Sequence, residues 1–449
     1  MHRQKSQVEQ HLNTVLHKKR LKTFKLESQQ LFLNENKYSS FKSEFNKELT
    51  EAMISADIPF WKLENLSFTN FLKKWTGQNV PSESLIRKVH LKVCYEEKID
   101  FIKNKIKGKK VWVSIDETTD ACGRYTGHFI IGILSNIKEE CQSFLINTQN
   151  FEVTNSTTIA RFFEDTIGMV SPHVIDRNDI LLVITDAAPY MIKAVKALNV
   201  LYPKMMHVTC LVHILHRVCE EIRFLFPNID SLISNAKKIF TKSSYRNQIF
   251  KEILPDVPLP SKPVITRWGT WLSATKYYCE YFDKFKRVIN ELDAADASSI
   301  RICKELMEKV DIKDDLAFIN ANYGYLPRLI EKLDLYDSIA TYENIIELIE
   351  NVQGEIGNKI TTKFRKSLSK NVNYKNICCI SRIIYGLKSE EANPFKDYSP
   401  DDISSFKFAP VTSCEVERSF SIYKSFLRPN RHGITTEHIK YYMITHFNK

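Results

Sequence analysis

Two aspartates stand at matching places in this sequence. Asp116 directly follows the apolar run Val111 to Ile115, and Asp186 directly follows Ile180 to Thr185. Runs of that length and composition predict short strands. Acids at the ends of two neighbouring strands can point into one crevice, and hard oxygen donors set close together are what Mg²⁺ or Mn²⁺ requires. Two such ions can activate an attacking water or 3′-hydroxyl and stabilise the leaving oxygen, a chemistry that calls for a third carboxylate. Glu417 is the candidate. On a helix read from Cys414 to Leu427, the residues Val416, Phe420, Tyr423 and Leu427 form a buried stripe with Glu417 at its border. Each acid also has a plain alternative: Asp186 as the N-cap of the helix that follows it, Asp116 as a turn residue, Glu417 as a solvated helix charge. Glu117 and Asp120 compete with Asp116 for the first position.

The elements that would position these acids follow from hydrophobic periodicity. Phe41, Phe45, Leu49 and Met53 at steps of four, then Phe68, Phe71, Leu72 and Trp75, predict amphipathic helices before about Cys94. From Lys110 the pattern turns to strands: Val111 to Ile115, His128 to Leu134 and Ser143 to Thr148, with Gly123 and Asn136 as turn residues. Short connections make these three an antiparallel meander. A helix from Thr157 to Met169, the run Ile180 to Thr185, a helix with Met191, Ala194, Val195 and Leu198 on one face, a strand Met206 to Cys210 and a helix Leu211 to Phe226 follow. That order predicts an α/β fold, a mixed sheet flanked by helices. From about Ile229 to Ser389 the sequence reads as an all-helical insertion, broken by an extended connection from Pro255 to Arg267 that holds four prolines. Helices from Cys414 to Leu427 and Thr436 to Phe447 close the chain, and Phe420, Tyr423, Ile439, Tyr442 and Phe447 are expected in packing or in a dimer interface.

The chain has 449 residues, 43% of them apolar, enough for two or three packed units. A formal charge of +11 leans towards a polyanionic partner, because Lys and Arg gain affinity by displacing counterions from phosphates. The ten cysteines form no Cys-x-x-Cys pair and the first residues contain no apolar signal core, which favours a reducing interior. No stretch approaches the run of about 18 apolar residues that spans a bilayer, so no membrane partner is expected. The runs Lys18-Lys19-Arg20 and Lys103 to Lys110 could serve nuclear import or be solvated surface.

The wording of five segments carries a resemblance. Trp112-Val113-Ser114-Ile115-Asp116-Glu117-Thr118-Thr119-Asp120 resembles the first catalytic strand of hAT transposases, and Ile184-Thr185-Asp186-Ala187-Ala188 the second. His207 to His213 resembles the family's Cys-x-x-His element, and Thr266 to Trp271 its Arg-Trp element. Pro410 to Ser421 resembles the C-terminal dimerisation region, in which the Glu before Arg is the third acid. The wider sequence looks closest to hAT-like proteins related to CGG-repeat-binding proteins, which carry a BED-type zinc finger ahead of this core. The resemblance runs from about Lys109 to the end. It implies a ribonuclease H-like fold, a DDE transposase's metal-dependent cutting and joining of DNA strands, and Asp116, Asp186 and Glu417 as both the catalytic acids and the ligands of two Mg²⁺ or Mn²⁺ ions. It also implies a homo-oligomer, and action on DNA favours a nuclear location.

The domain reading is then a basic zinc-finger remnant over 1–25, a helical module for DNA binding or oligomerisation over 26–108, and the first part of the ribonuclease H-like core over 109–228. The all-helical insertion takes 229–395, and 396–449 completes the core and holds the dimerisation region. Of the finger only His11 and His17 stand here, with no thiolate pair nearer than Cys94, so either the chain begins inside the finger or the finger has been lost. His207, Cys210, His213 and His216 recur at three-residue steps, a zinc-like spacing. Packing near the active site or DNA contact by Cys210 and His213 is the preferred reading. Arg267 and Trp268 could contact phosphate and stack a flipped base, or form a buried Trp with an Arg stem upon it. Two functions remain open: a working transposase, and a catalytically silent, transposon-derived DNA-binding or dimerisation protein.

Overall fold

The computed structural model describes residues 44–120, 122–170, 173–241, 243–260, 269–333, 338–371, 373–387, 395–427 and 435–449. The His11 and His17 pair, Arg267 and Trp268 lie outside the described residues. The chain divides into two compact units, residues 1–102 with 425–449, and residues 103–424. The terminal region expected over 396–449 is therefore shared between both.

The second unit is built on five strands: β1 (Val111–Thr119), β2 (Tyr125–Ile133), β3 (Ser143–Phe151), β4 (Ile180–Thr185) and β5 (Met206–Thr209). They lie in the order β3-β2-β1-β4-β5. β1 pairs antiparallel with β2, and β2 with β3, while β1–β4 and β4–β5 are parallel. The tight turn closed by Gly123, at φ +77°, suits an antiparallel neighbour, whereas the helices Ser156–Val170 and Pro189–Leu198 provide the crossovers that parallel pairing demands. β4, flanked by β1 and β5, is buried along its whole length, which is why it reads as an unbroken apolar run. This is a ribonuclease H-like mixed sheet with flanking helices.

Alternation along β1 separates the two faces of the sheet. On one face Phe129 meets Phe162 and Phe163 of the first crossover helix, with ring centroids 5.9 and 5.5 Å apart. The other face carries Trp112, Ser114, Asp116 and His128. Gly132 sits under the Trp112 indole, where a Cβ would come within 2.2 Å of the ring, so no larger residue fits there. The helix Cys414–Phe426 covers this face: its Phe420 ring lies 4.6 Å from His128, and its Tyr423 ring 5.4 Å.

β1 is longer than the sequence suggests. Its ladder with β2 continues to Thr119 opposite Tyr125, so Asp116 lies within the strand, paired with His128, and not after its end. The polar run from Glu117 to Thr119 resembles a turn in sequence, yet backbone pairing is indifferent to side-chain polarity.

Beyond β5 the described residues up to 387 are almost entirely helical, as expected of the insertion. Leu211–Leu225 packs on Gly354–Leu368, Pro227–Thr241 on Ser298–Met307, and Thr270–Glu291 on Asp311–Tyr323. Residues 254–260 are non-helical, and the Tyr277 hydroxyl donates to the Pro258 carbonyl at 2.8 Å. The free edge of β5 is closed by side chains: Asn371 accepts from Thr209 N at 3.2 Å and donates to Thr209 O at 2.8 Å, and Asn373 donates to His207 O at 2.8 Å. An edge capped in this way cannot recruit a further strand. Asp402, fully buried, binds Lys110 at 3.0 Å and Lys204 at 2.8 Å, fastening the segment before Cys414 to the start of β1.

The first unit contains a helix over 44–55, the 3₁₀ turn Phe60–Glu64, the helix Leu66–Thr76, the start of Leu91–Ile106, which is entered through a π-helical turn at Ile86–His90, and the terminal helix Thr436–Phe447. Its core gathers Met53, Ile54, Phe60, Ile86, Leu91 and Tyr442. Two amphipathic readings are corrected here. In the helix over 44–55 the buried positions are Asn46, Thr50, Met53 and Ile54 in place of Phe45 and Leu49. Leu66–Thr76 buries no residue, leaving Phe71 and Trp75 exposed, because nothing among the described residues packs over that face. Phe420, Tyr423, Ile439 and Tyr442 are buried within the chain and Phe447 is half-buried, so intramolecular packing is the role they display. Among the described residues no helix is long and apolar enough to cross a membrane.

Candidate metal centre

Three side chains from three elements converge over the middle of the sheet. Asp116 comes from β1, His213 from the first turn of Leu211–Leu225, and Glu417 from the first turn of Cys414–Phe426. One donor atom from each lies within 4.8 Å of the other two. His213 Nε2 stands 3.7 Å from Glu417 Oε1. Two ligands of an ion about 2.1 Å away are at most about 4.2 Å apart. That pair already stands within such a span, and slight side-chain rotation would bring in the third.

The local sequence explains the convergence. Cys210 N donates to Thr185 O at 2.8 Å, carrying the β4–β5 ladder one residue further. Leu211 N then donates to Val411 O at 3.1 Å, and Ser413 N to Cys210 Sγ at 3.2 Å. The segment entering the Glu417 helix is thus stitched to the start of the His213 helix, which turns the two first turns towards each other. Val416, Phe420 and Tyr423 are buried as the stripe of the Glu417 helix, and Glu417 lies at its border as expected.

His128 fixes that helix on the sheet. The Ser419 hydroxyl donates to Val416 O at 2.6 Å, so His128 Nδ1, 2.6 Å from the same oxygen, must be the N–H donor. His128 Nε2 is then a buried acceptor with no hydrogen-bond partner among the described residues. Burial lowers the His128 pKa to about 3, keeping the ring neutral.

The electrostatics favour a cation among the acids. Asp116 is 7% exposed and receives the Glu117 N–H at 2.8 Å. Burial pushes its carboxyl well above the usual carboxylate range; Glu417 and Asp186 push in the same direction, while His213 and the Glu117 amide pull against them. Glu417 is raised by burial, with His213 opposing. Burial disfavours charge on His213, yet Cys210, Asp116 and Glu417 together lift it to about 10. Carboxylates crowded together out of water are stabilised in their charged form by a positive ion between them. The donor set therefore fits a divalent cation.

The remaining expectations resolve as follows. Asp186 is close enough for its charge to act on Asp116, but it is not in the group of three; its Oδ1 accepts from Ala188 N at 3.1 Å in the turn before the Pro189–Leu198 helix, whose N-cap is Ala188 and not Asp186. Asp120 is committed to the turn, accepting from Cys122 N, Arg124 N and Arg124 Nε, and burial is outweighed by these donors so that its pKa falls. Glu117 accepts from the Tyr190 hydroxyl at 2.7 Å. Cys210, read as packing near the active site or contacting DNA, is fully buried beside His213, with its sulfur accepting from Ser413 N at 3.2 Å, so packing is the role it shows. His207 instead bonds Thr185 Oγ1 at 2.9 Å and His216 faces Glu220 at 3.6 Å, so the three-residue repeat does not gather four ligands. Packing near the active site is one of the two readings that the sequence offers for His213; its role as a third donor beside Asp116 and Glu417 is not assigned from the sequence. The available signal was its position in the first turn after the parallel strand next to β4.

A family model matches residues 81–239, described as Domain of unknown function (DUF659). The match covers about a third of the chain, including the five strands, Asp116, Asp186 and His213, and stops well before Glu417. That family is associated with hAT-like transposase-related proteins. No curated protein matches the chain.

Proposed function

We propose that this protein is a hAT-like, transposase-derived DNA-binding protein that cuts and joins DNA strands at a divalent-metal site on its ribonuclease H-like sheet. The observation that carries this reading is the convergence of Asp116 and Glu417, some 300 positions apart in the chain, over the centre of a β3-β2-β1-β4-β5 sheet. The family associated with the match and the charge of +11 support the same class of substrate.

Asp116 and Glu417 would hold the ion, with Asp186 adding negative charge beside them. A divalent cation supplies Lewis acidity at a phosphodiester and lowers the pKa of attacking water. The chain's own contribution is position. The β1 ladder holds Asp116 rigid, the His128–Ser419 bond holds the Glu417 helix down, and burial keeps bulk water from competing with the substrate's phosphate oxygens.

The test is cleavage of a labelled DNA duplex by the purified chain with Mn²⁺ or Mg²⁺, beside Glu417→Gln. Cutting that depends on metal and falls by about a hundredfold or more in the variant is the expected result. DNA binding without cutting would overturn the catalytic part and leave a silent DNA-binding protein. Neither binding nor cutting would overturn the reading as a whole.

A further inference from the structure

We infer that His213 is itself a ligand of this metal centre, making it a mixed nitrogen and oxygen site that prefers Mn²⁺ to Mg²⁺. The inference rests on the reading of Asp116 and Glu417 as a metal site and goes beyond the three carboxylates that the sequence suggests.

Geometry comes first. The imidazole is one of the three groups whose donor atoms converge, and Asp186 is not. Nε2 faces Glu417 Oε1 at 3.7 Å, a separation that two ligands of one ion adopt. The helix that carries the ring is fixed at its start on two sides, Cys210 N to Thr185 O and Leu211 N to Val411 O.

The surroundings of the ring are those of a ligand. A metal-bound histidine almost always has a hydrogen-bonding group on the side away from the ion, which sets its tautomer and orientation. Cys210, fully buried three residues ahead of His213 and interacting with it, is the group placed for that task, and the Ser413 N–H fixes its sulfur at 3.2 Å. This gives the Cys-x-x-His spacing a physical purpose: Cys210 is a positioning residue three places before the ligand. With the His213 side chain only 23% exposed, a role in gripping DNA leaves most of its surface unexplained.

Ligand chemistry gives the selectivity. Mg²⁺ demands oxygen donors and gives up water reluctantly, whereas Mn²⁺ accepts imidazole nitrogen beside carboxylates.

The experiment is pulsed electron paramagnetic resonance of the full chain loaded with Mn²⁺, with natural-abundance and with ¹⁵N-histidine protein, alongside His213→Gln. The expected result is a nitrogen coupling to the ion that changes isotope pattern with labelled histidine and is absent in the variant. Mn²⁺ affinity in the variant should fall by about tenfold, with Mg²⁺ affinity much less affected. Bound Mn²⁺ with no histidine nitrogen coupling, or a coupling that survives in His213→Gln, overturns this inference and leaves the carboxylate site standing. Wild-type protein that binds no Mn²⁺ overturns both. The isotope comparison needs no variant, so it decides the matter even if His213→Gln fails to fold.

Discussion

The pairing of Asp116 with His128 across β1 and β2 puts an acid that wants a cation next to a histidine that cannot be one. The two differ because His128 has a donor role already fixed by Ser419 and, among the described residues, no acceptor for a second N–H, whereas the acids face each other across His213. A pH dependence follows. The His128 pKa is depressed from its ordinary value near 6.5 to about 3 by burial. Its contribution to stability is therefore fully present above about pH 6.5 and is lost as pH falls towards 3, because the unfolded chain takes up a proton that the fold refuses. The slope is at most about 1.4 kcal/mol per pH unit. His128→Asn should be less stable at pH 7, yet its urea midpoint should fall less than the wild type's between pH 6.5 and 4.5. Parallel decline of both midpoints would show that His128 does not titrate as described.

At the scale of elements, sheet order decides which residues meet. Asn371 is an example: it belongs to the insertion yet acts as the missing neighbour of β5, pairing both backbone groups of Thr209. Asn371 is 4% exposed and Thr209 3%, so water cannot replace these bonds. Asn371→Ala should cost about 2–3 kcal/mol, the penalty for leaving a buried donor and acceptor unpaired. Asn373→Ala, removing a single bond to His207 O, should cost about 1 kcal/mol. Equal midpoints for wild type and Asn371→Ala in chemical denaturation would refute the clamp.

At the scale of the whole molecule, the terminal helix belongs with the N-terminal unit, so residues separated by most of the chain share one core. Tyr442 stacks on Phe426 at 4.0 Å, meets Phe60 at 6.2 Å and donates its hydroxyl to Asp57 Oδ1 at 3.1 Å. Tyr442→Ala should cost this unit about 3–5 kcal/mol, as for other large buried aromatics. Tyr442→Phe, which keeps the ring, should cost about 1 kcal/mol. Hydrogen exchange over residues 44–64 would report it. Unchanged exchange there, with a fall in oligomeric mass, would instead make Tyr442 an interface residue.

The sequence by itself determined the strands and the helices that flank them, because apolar runs of strand length and helical stripes are local properties of the chain. It also singled out Asp116 and Glu417, since an acid placed after an apolar run or on the edge of a buried stripe can be seen in one dimension. Only the tertiary structure decided which groups share the centre. His213 enters it because Cys210 N continues the β4–β5 ladder and Leu211 is tied to Val411, contacts spanning 25 and 200 positions that no local pattern encodes. The same holds for the terminal helix: its apolar face was legible, but whether that face meets another copy or Phe60 of its own chain depends on which surface reaches it first in space.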